Sequence, residues 1–283
     1  MEQRDKFKGV ESIKFYSRFT DDASCLEYLS SIKRADGFKC KKCGHTNYCN
    51  DRYPYSRRCT RCKYDESVTS GSMFDKIKFP LVCAFHIAFK ISTKKKGMSS
   101  LELAEEYCMR QKTVWEFKRK IQKAMRSSGN YPLKGEVHVD EFYIGGEEEG
   151  IIGRSTEGKK KLVIVALEIV RDGVGRAYAQ VIDDASASSF RPFFDRYISK
   201  DAKVITDEWS GYLPLKKDYP KLEQRPSDKG KGHPQIHIHI MNIKGWLRGI
   251  HHHCSKEHLQ GYLDEYHFRF NRRNNCLLYT SDA

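Results

Sequence analysis

The sequence has no apolar run of the roughly 18–20 residues that a membrane-spanning helix needs. Its most apolar segment, Phe79 to Ile91, is short and contains His86. The first ten residues are mostly charged and polar, so a secretory signal is not expected. There is also no internal repeat, which argues against a repeat architecture. We therefore expect a cytoplasmic protein whose ten cysteines are metal ligands or buried thiols rather than disulfides.

The chain has no excess of acidic residues, and its net positive charge comes entirely from the first half. The 283 residues carry a formal net charge of +14. Residues 1–134 contain 29 basic and 15 acidic side chains, whereas residues 135–283 contain 22 of each. A concentrated basic segment indicates a polyanionic partner, most often nucleic acid. Aromatic residues make up 12% of the chain, which is too many for a disordered protein.

The two halves also differ in their hydrophobic patterns. The first half shows helical spacing from residues 20–34 onward, where Asp21 or Asp22 is the predicted N-cap. The second half opens with strand patterns. This order predicts a mixed α/β layer, with Asp140 inside one strand and Asp207 at the end of another. The predicted strands of this half are 136–144, 162–170, 175–182 and 202–206, and its predicted helices are 186–198 and 257–273.

Two cysteine pairs form the strongest local motif of the sequence. Cys40-x-x-Cys43 and Cys59-x-x-Cys62 are separated by 15 residues. Two such turns supply four thiolates, which is the ligand set of a tetrahedral zinc site. Because four protein ligands leave no position for a substrate, we predict a structural zinc ribbon. Alternative ligands in the same segment are His45 and Cys49, which would break the symmetry of the two turns.

A basic helical pair follows the cysteines, from Ser99 to Arg126. A helix-turn-helix arrangement would present the start of its second helix to DNA. The alternative is an ordinary helix pair with a solvated basic face, since the turn lacks the glycine often found there. The predicted DNA-contacting residues of this pair are Lys112, Thr113, Lys118 and Arg119.

Two acidic pairs, Asp140-Glu141 and Asp207-Glu208, lie in or directly after predicted strands. A carboxylate buried in such a place costs desolvation free energy unless it is paired with a positive charge or bound to a metal ion. Because neighbours on a strand face opposite sides, one member of each pair can face a shared site. Two aspartates on adjacent strands can hold Mg²⁺, and such ions support displacement at a phosphodiester. The alternative is that each acid only forms a turn.

The motifs together resemble those of insertion-sequence transposases of the ISXO2-like group. Those proteins carry an N-terminal zinc ribbon before a catalytic domain of ribonuclease-H-like fold. The resemblance covers roughly residues 20 to 275 and has its blocks in the family's order. The residues that carry it are the double Cys-x-x-Cys motif, Val139 to Gly146, Thr206 to Tyr212, His239 to Gly249 and Tyr262 to Arg273.

The resemblance implies a catalytic Asp-Asp-Glu triad or, in one branch, Asp-Asp-Asn. The first two members fall on Asp140 and Asp207, and the third falls on Asn242, 35 residues after Asp207. Mg²⁺ or Mn²⁺ is the implied catalytic ion at the two aspartates. Lys244 and Arg248 are expected to contact DNA phosphates, with simple surface charge as the alternative. For Asn242 the alternatives are a helix cap, or replacement as a ligand by Glu257, Asp264 or Glu265.

The implied function is DNA transposition. The protein would bind the terminal inverted repeats of its element on double-stranded DNA and catalyse cleavage and strand transfer as a homodimer or larger assembly. Alternatives are a zinc-ribbon regulator with an inactive nuclease-like domain, or a nuclease that cleaves without joining. The histidines at 251–253 are expected to have polar or DNA-contacting roles. The expected segments are an N-terminal helical segment (1–37), the zinc ribbon (38–68), a helical DNA-binding region (69–130), the catalytic domain (131–275) and a truncated or non-native tail (276–283).

Overall fold

The computed structural model describes residues 12–145, 160–171, 173–226, 232–251 and 254–273. Within these ranges no helix has both the length and the apolar character required to cross a bilayer. Two sequence-based expectations lie outside the described residues: the roles of His252 and His253 in the histidine run, and the tail 276–283.

The described residues form two compact units. The first comprises residues 12–94 and 98–124 and contains five helices among its described residues. Asp21 caps the second of these helices, because its carboxylate accepts a 2.8 Å hydrogen bond from the backbone N–H of Ser24. The helices are α1 (Ser12–Arg18), α2 (Asp22–Lys33), α3 (Leu81–Thr93), α4 (Ser100–Glu106) and α5 (Gln111–Ala124).

Aromatic side chains hold the helices of this unit together. Phe15 of α1 stacks on Phe89 of α3 with ring centroids 4.1 Å apart. Phe85, also from α3, packs against Phe19 and stacks on Phe74. Buried aromatic pairs of this kind contribute roughly 0.5–1.5 kcal/mol each beyond the area they remove from water.

A three-stranded antiparallel ribbon lies between α2 and α3 in the chain. Its register sets Tyr48 opposite Cys59 and Arg58 opposite Asp65. With strands of only two or three residues, the ribbon buries little apolar surface and needs another source of stability. The strands are β1 (Tyr48–Asn50), β2 (Arg57–Cys59) and β3 (Asp65–Glu66).

The second unit contains residues 95–97 and the described residues from 125 to 273. It is built on a five-stranded mixed sheet of order β6-β5-β4-β7-β8. The first three strands of this unit, β4 to β6, pair antiparallel, and β7 and β8 continue the sheet in parallel beside β4. The strands are β4 (Glu136–Ile144), β5 (Lys161–Val170), β6 (Gly173–Ile182), β7 (Lys203–Thr206) and β8 (Leu222–Gln224).

Helices cover both faces of this sheet, so β5 is buried on both sides, as its continuous apolar sequence predicts. One face packs against an aromatic core that includes Phe190 and Tyr212. The other packs against apolar residues of the two C-terminal helices, such as Ile240 and Leu263. The helical elements are α6 (Ala187–Tyr197), a 3-10 helix (Ser210–Lys217), α7 (Pro234–Ile250) and α8 (Lys256–Asn271). This confirms the mixed-sheet α/β fold class predicted from the sequence.

Candidate functional site

The four predicted zinc ligands meet at one point of the ribbon. The Sγ atoms of Cys40, Cys43, Cys59 and Cys62 all lie within 4.8 Å of one another. The Cys40–Cys62 and Cys43–Cys59 sulfur pairs are 3.5 and 3.6 Å apart. Sulfurs at the corners of a tetrahedral zinc site are about 3.8 Å apart, because each Zn–S bond is about 2.3 Å. The four cysteines therefore fit a zinc ion.

The two cysteine turns have the same backbone form. In the first, the N–H of Gly44 donates to the carbonyl of Cys40, and in the second the N–H of Lys63 donates to the carbonyl of Cys59. Gly44 and Lys63 both have positive φ, 72° and 59°. A left-handed residue directly after each second cysteine turns the chain so that both thiols of a pair face the same point.

The alternative ligands considered from sequence have other partners. Cys49 is exposed, and its Sγ lies 3.7 Å from the carbonyl oxygen of Arg58. The Nε2 atom of His45 lies 3.1 Å from the hydroxyl of Thr60. Neither residue belongs to the metal-binding group found among the described side chains.

Asp140 lies in β4, and Asp207 directly follows the neighbouring parallel strand β7. The β4–β7 register pairs Val137 with Val204 and His138 with Ile205. Continuing this register by two residues sets Asp140 opposite Asp207, at the strand spacing of about 4.8 Å. Alternation along β4 turns Asp140 to the α7 face of the sheet, and the same alternation from Val204 turns Asp207 to that face. The register and the alternation together indicate that the two aspartates lie close to each other.

Backbone donors orient both carboxylates. The N–H of Glu141 donates to Oδ1 of Asp140 at 2.8 Å. The N–H of Trp209 donates to Oδ1 of Asp207 at 3.1 Å, which closes a tight turn directly after β7. The side-chain amide of Gln224 then fixes this turn from β8 by donating to the carbonyls of Asp207 and Trp209. Sequence analysis found both aspartates but not Gln224, since β8 has only three residues and no clear strand pattern.

Glu141 faces the opposite side of the sheet from Asp140, as alternation predicts. There its Oε2 accepts a 2.5 Å hydrogen bond from the hydroxyl of the fully buried Tyr212. Burial raises the pKa of Tyr212 well above its ordinary value, and the charges of Glu141, Asp140 and Asp207 act in the same direction. Glu141 is therefore a structural partner of Tyr212 rather than a second acid on the α7 face.

Helix α7 approaches Asp140 from the side of the sheet that carries both aspartates. Nδ1 of His237 lies 3.7 Å from Oδ2 of Asp140, and their side chains are 34% and 18% exposed. Lys244 lies two turns further along, with its Nζ 5.5 Å from the ring centroid of Phe142. Burial lowers the pKa of Lys244, and the positive charge of Arg248 adds to this, while the negative charge of Asp140 acts the other way. The sequence prediction missed His237.

Asn242 lies within α7, eight residues before its end, so it is not a helix cap. Its side chain is exposed. On a helix of 3.6 residues per turn, it projects about 140° away from His237 around the axis. In this conformation the structure therefore does not bring Asn242 together with the two aspartates.

The acids considered as substitutes for Asn242 lie on α8, which packs against β6. Burial raises the pKa of Asp264 to about 6, and the amide of Gln260 donates to its carboxylate. Glu265 is fully buried and accepts a 2.6 Å hydrogen bond from Arg269. Glu257 is in the first turn of α8. Since β6 is three strand spacings from β7, or about 14 Å, the structure does not bring these acids together with the two aspartates.

The basic pair consists of α4 and α5, joined by a short turn. Ser99 caps α4 by accepting a 3.0 Å hydrogen bond from the N–H of Glu102. The side-chain amide of Gln111 donates to the hydroxyl of Ser100, which links the starts of the two helices. The turn has no glycine, but Cys108 adopts a left-handed conformation with φ of 50°. The geometry of a tight helix–turn–helix is thus reached without glycine.

The predicted DNA-contacting residues of α5 differ in accessibility. Lys112 is exposed, while Thr113 and Arg119 are half-buried. Lys118 is only 2% exposed, and its ammonium group donates to the carbonyl of Met98. The prediction for Lys118 therefore needs correction, because the apolar stripe of α5 carries it into the interior.

The difference in exposure between Lys112 and Lys118 leads to a testable prediction for α5. We expect Lys112→Ala to weaken DNA binding and to reduce the slope of log affinity against log salt by about 0.9, the value for one lost phosphate contact. Lys118→Met removes the same charge but should leave that slope unchanged and lower the melting temperature instead. Fluorescence anisotropy across a salt series and a thermal melt measure the two effects. Equal slope changes in both variants would contradict the assignment.

Comparison with known proteins supports the sequence resemblance. Residues 132–271 match the ISXO2-like transposase domain family. No curated protein matches the sequence. Among solved structures, a pre-cleavage Mos1 transpososome matches with 14% identity and a TM-score of 0.31, over 66% of this chain and 73% of that one. A Mos1 transposase paired-end complex with the left transposon end matches with 15% identity and a TM-score of 0.21, over 68% and 77%.

The five-stranded mixed sheet, with Asp140 in β4 and Asp207 directly after the parallel strand β7, defines a mixed α/β domain. Its matched residues belong to the ISXO2-like transposase domain family. The family resemblance predicted from the sequence is confirmed.

Proposed function

We propose that this transposase binds the terminal inverted repeats of an insertion sequence and catalyses metal-dependent cleavage and strand transfer at them. The proposal is supported by the parallel pairing of β4 with β7, because this register, continued by two residues, sets Asp140 in β4 beside Asp207 directly after β7. Such paired carboxylates fit a hard divalent cation, Mg²⁺ or Mn²⁺.

Asp140 and Asp207 would hold this cation in the proposed active site. When bound, divalent ions supply an activated nucleophile and stabilise the oxygens that attack and leave in an in-line displacement at phosphorus. The backbone N–H groups of Glu141 and Trp209 keep one oxygen of each carboxylate in a fixed orientation. A fixed orientation of the carboxylates reduces the reorganisation needed during the reaction.

Lys244 serves as a phosphate-binding residue beside the aspartates. Its half-buried ammonium group is close enough to Asp140 to sense that charge. Nearby on the helix, Arg248 is exposed and adds a second positive charge. Together they would hold the scissile strand against the carboxylates, where the negative charge of DNA would otherwise be repelled.

The basic N-terminal half would bind the DNA at the end of the element. It carries the whole +14 net charge of the chain, since residues 135–283 are balanced. The zinc ribbon and the α4–α5 pair supply exposed basic residues such as Lys112. Strand transfer joins two element ends to one target, so we propose a homodimer or larger assembly on DNA.

A strand-transfer assay tests the proposed function. Zinc-loaded protein is incubated with Mg²⁺ or Mn²⁺, a labelled DNA that carries an element end, and an unlabelled target plasmid. We expect a joined product that depends on both the element end and the divalent ion. Cleavage without joining would indicate a nuclease, and binding without either product would indicate a regulator; each result would overturn the proposal.

A further inference from the structure

The turn that joins β1 to β2, residues 51–56, carries two exposed tyrosines; we call it the ribbon tip. Tyr53 is 66% exposed and Tyr55 is 40% exposed. Within the part of the chain that the structure describes, neither ring packs against another aromatic ring or a cation. An aromatic ring in this position leaves a π-face open to a partner from outside the protein.

The backbone of the ribbon tip holds both tyrosines in a defined turn. The N–H of Asp51 donates to the carbonyl of Ser56 at 3.3 Å, and the N–H of Ser56 donates to the carbonyl of Tyr53 at 3.1 Å. Pro54, between the tyrosines, has a restricted φ. Tyr55 is left-handed, with φ of 60°. Because the turn is already ordered, a partner that binds it loses little affinity to ordering of the loop.

The ribbon around this tip is strongly basic. Residues 38–66 contain eight lysines and arginines but only three acidic residues. Two of these acids are already paired within the protein, Asp65 with Arg58 and the buried Glu66 with Lys41. The ribbon stays positive even when four thiolates and one zinc ion add a net charge of about −2. A surface of this charge fits a polyanion.

Arginines flank the two tyrosines on both sides in the sequence. Arg52 is exposed and directly precedes Tyr53. On the other side, the guanidinium carbon of Arg57 lies 3.7 Å from the ring centroid of Tyr48, so a cation–π contact holds it at the base of the tip. The tip thus combines open aromatic faces with guanidinium groups. This combination binds single-stranded nucleic acid, since bases stack on the rings and phosphates pair with the cations.

Double-stranded DNA fits the exposed rings less well. Bases in a duplex are stacked on each other and present only their edges in the grooves, where hydrogen-bonding side chains read them. A tyrosine can contact a duplex through its hydroxyl, by a hydrogen bond to a phosphate. Such a contact uses the oxygen of the side chain and not the ring. The ring and the hydroxyl therefore distinguish the two modes of binding.

We propose that the ribbon tip binds unpaired DNA by stacking Tyr53 and Tyr55 on bases, while Arg52 and Arg57 contact the adjacent phosphates. The inference rests on the function proposed above, which acts on one DNA strand at a time. In that setting the partner is the strand that becomes unpaired when an element end is cut. The tip adds a base-stacking site to the phosphate contacts proposed for the basic half of the chain.

Fluorescence anisotropy with full-length, zinc-loaded protein tests this site. The probes are a labelled oligothymidine of about 16 nucleotides and a duplex of the same length without an element end. We expect Tyr53→Leu and Tyr55→Leu each to weaken binding to oligothymidine by at least about fivefold, the low end for one stacked base, and to change duplex binding much less. Tyr53→Phe keeps the ring without the hydroxyl and should bind as the wild type does.

A salt series separates stacking from charge. Tyr53→Leu removes no charge, so it should lower the affinity for oligothymidine and keep the slope of log affinity against log salt. Arg52→Ala should reduce that slope by about 0.7, the single-strand value for one phosphate contact. Tyr131→Leu, at a tyrosine that is 45% exposed outside the ribbon, is the matched control and should change neither quantity.

Zinc content and a thermal melt check that each variant keeps its fold, which is expected because Tyr53 is mostly exposed. The proposal is overturned if the wild type does not bind oligothymidine or if both leucine variants bind it as tightly as the wild type. It is also overturned if Tyr53→Phe loses as much affinity as Tyr53→Leu, or if the duplex loses as much as the single strand.

Failure of this inference differs from failure of the proposed function. If strand transfer occurs but binding to oligothymidine does not depend on the two tyrosines, only the stacking site is wrong. If that binding depends on the tyrosines but no joined product forms, the proposed function is wrong and the stacking site remains.

Discussion

Replacing either Asp140 or Asp207 with asparagine is expected to abolish strand transfer and leave binding to element ends nearly unchanged. Each substitution removes one negative charge from the proposed metal site and keeps the side-chain volume. Stabilisation by a bound divalent ion is worth several kcal/mol, so the loss should be roughly 10³-fold or more in rate. Joined product is measured on a gel, and binding is measured by anisotropy.

The control for this experiment is Asp201→Asn. Asp201 is exposed and lies just before β7, so it tests the effect of losing one acid near the same strand. Its activity should stay within about twofold of the wild type, as is usual for surface changes. Retention of strand transfer in Asp140→Asn or Asp207→Asn would mean that the chemistry takes place elsewhere.

Replacing Cys40 with serine is expected to remove zinc and unfold the ribbon. The ribbon has strands of two or three residues and a buried metal site in place of an apolar core. Binding of a structural zinc ion contributes on the order of 10 kcal/mol to folding. Zinc content should fall from about one per chain to near zero, and binding to element ends should weaken because the ribbon no longer holds its shape.

Cys49→Ser is the matched control for the zinc experiment. Cys49 lies in β1 of the same ribbon, but its sulfur is exposed and outside the four-cysteine group. Zinc content and ribbon folding should both remain as in the wild type. A Cys40→Ser protein whose ribbon signals remain folded in NMR spectra without zinc would contradict the structural role.

Most of the sheet could be predicted from sequence because its signals are local. The segment 136–144 alternates along its length, and β4 occupies those residues. Strand alternation also predicts that Asp140 and Glu141 face opposite sides, and the contact of Glu141 with Tyr212 agrees with this. The pairing of β4 with β7 brings Asp140 beside Asp207, which local pattern alone does not specify.

Helix α7 shows where local pattern is insufficient. The run from Ile236 to Ile240 alternates isoleucine and histidine, which is typical of a strand, yet it is helical. Ile236 and Ile240 face the sheet, whereas Ile238 is 56% exposed. Packing on the sheet overrides the period-two pattern. Tertiary contacts decide how α7 is rotated about its own axis. Only this rotation shows that His237, and not Asn242, faces Asp140.

The burial of Lys118 also depends on tertiary contacts rather than on local sequence pattern. Its sequence neighbours Arg119 and Lys120 are charged, so the segment looks like a solvated basic face. In the structure, Phe117 and Ile121 face the core of the first unit, and Lys118 lies beside them. Its ammonium group is satisfied by the carbonyl of Met98, which is twenty residues away in the chain. A long-range partner of this kind cannot be inferred from composition.

The most direct test of the account is anomalous diffraction from crystals of the zinc-loaded protein soaked in Mn²⁺. We expect a manganese peak within about 2.2 Å of a carboxylate oxygen from both Asp140 and Asp207. Finding the two carboxylates more than about 10 Å apart, or on opposite faces of the sheet, would contradict it, because one metal site could not then use both.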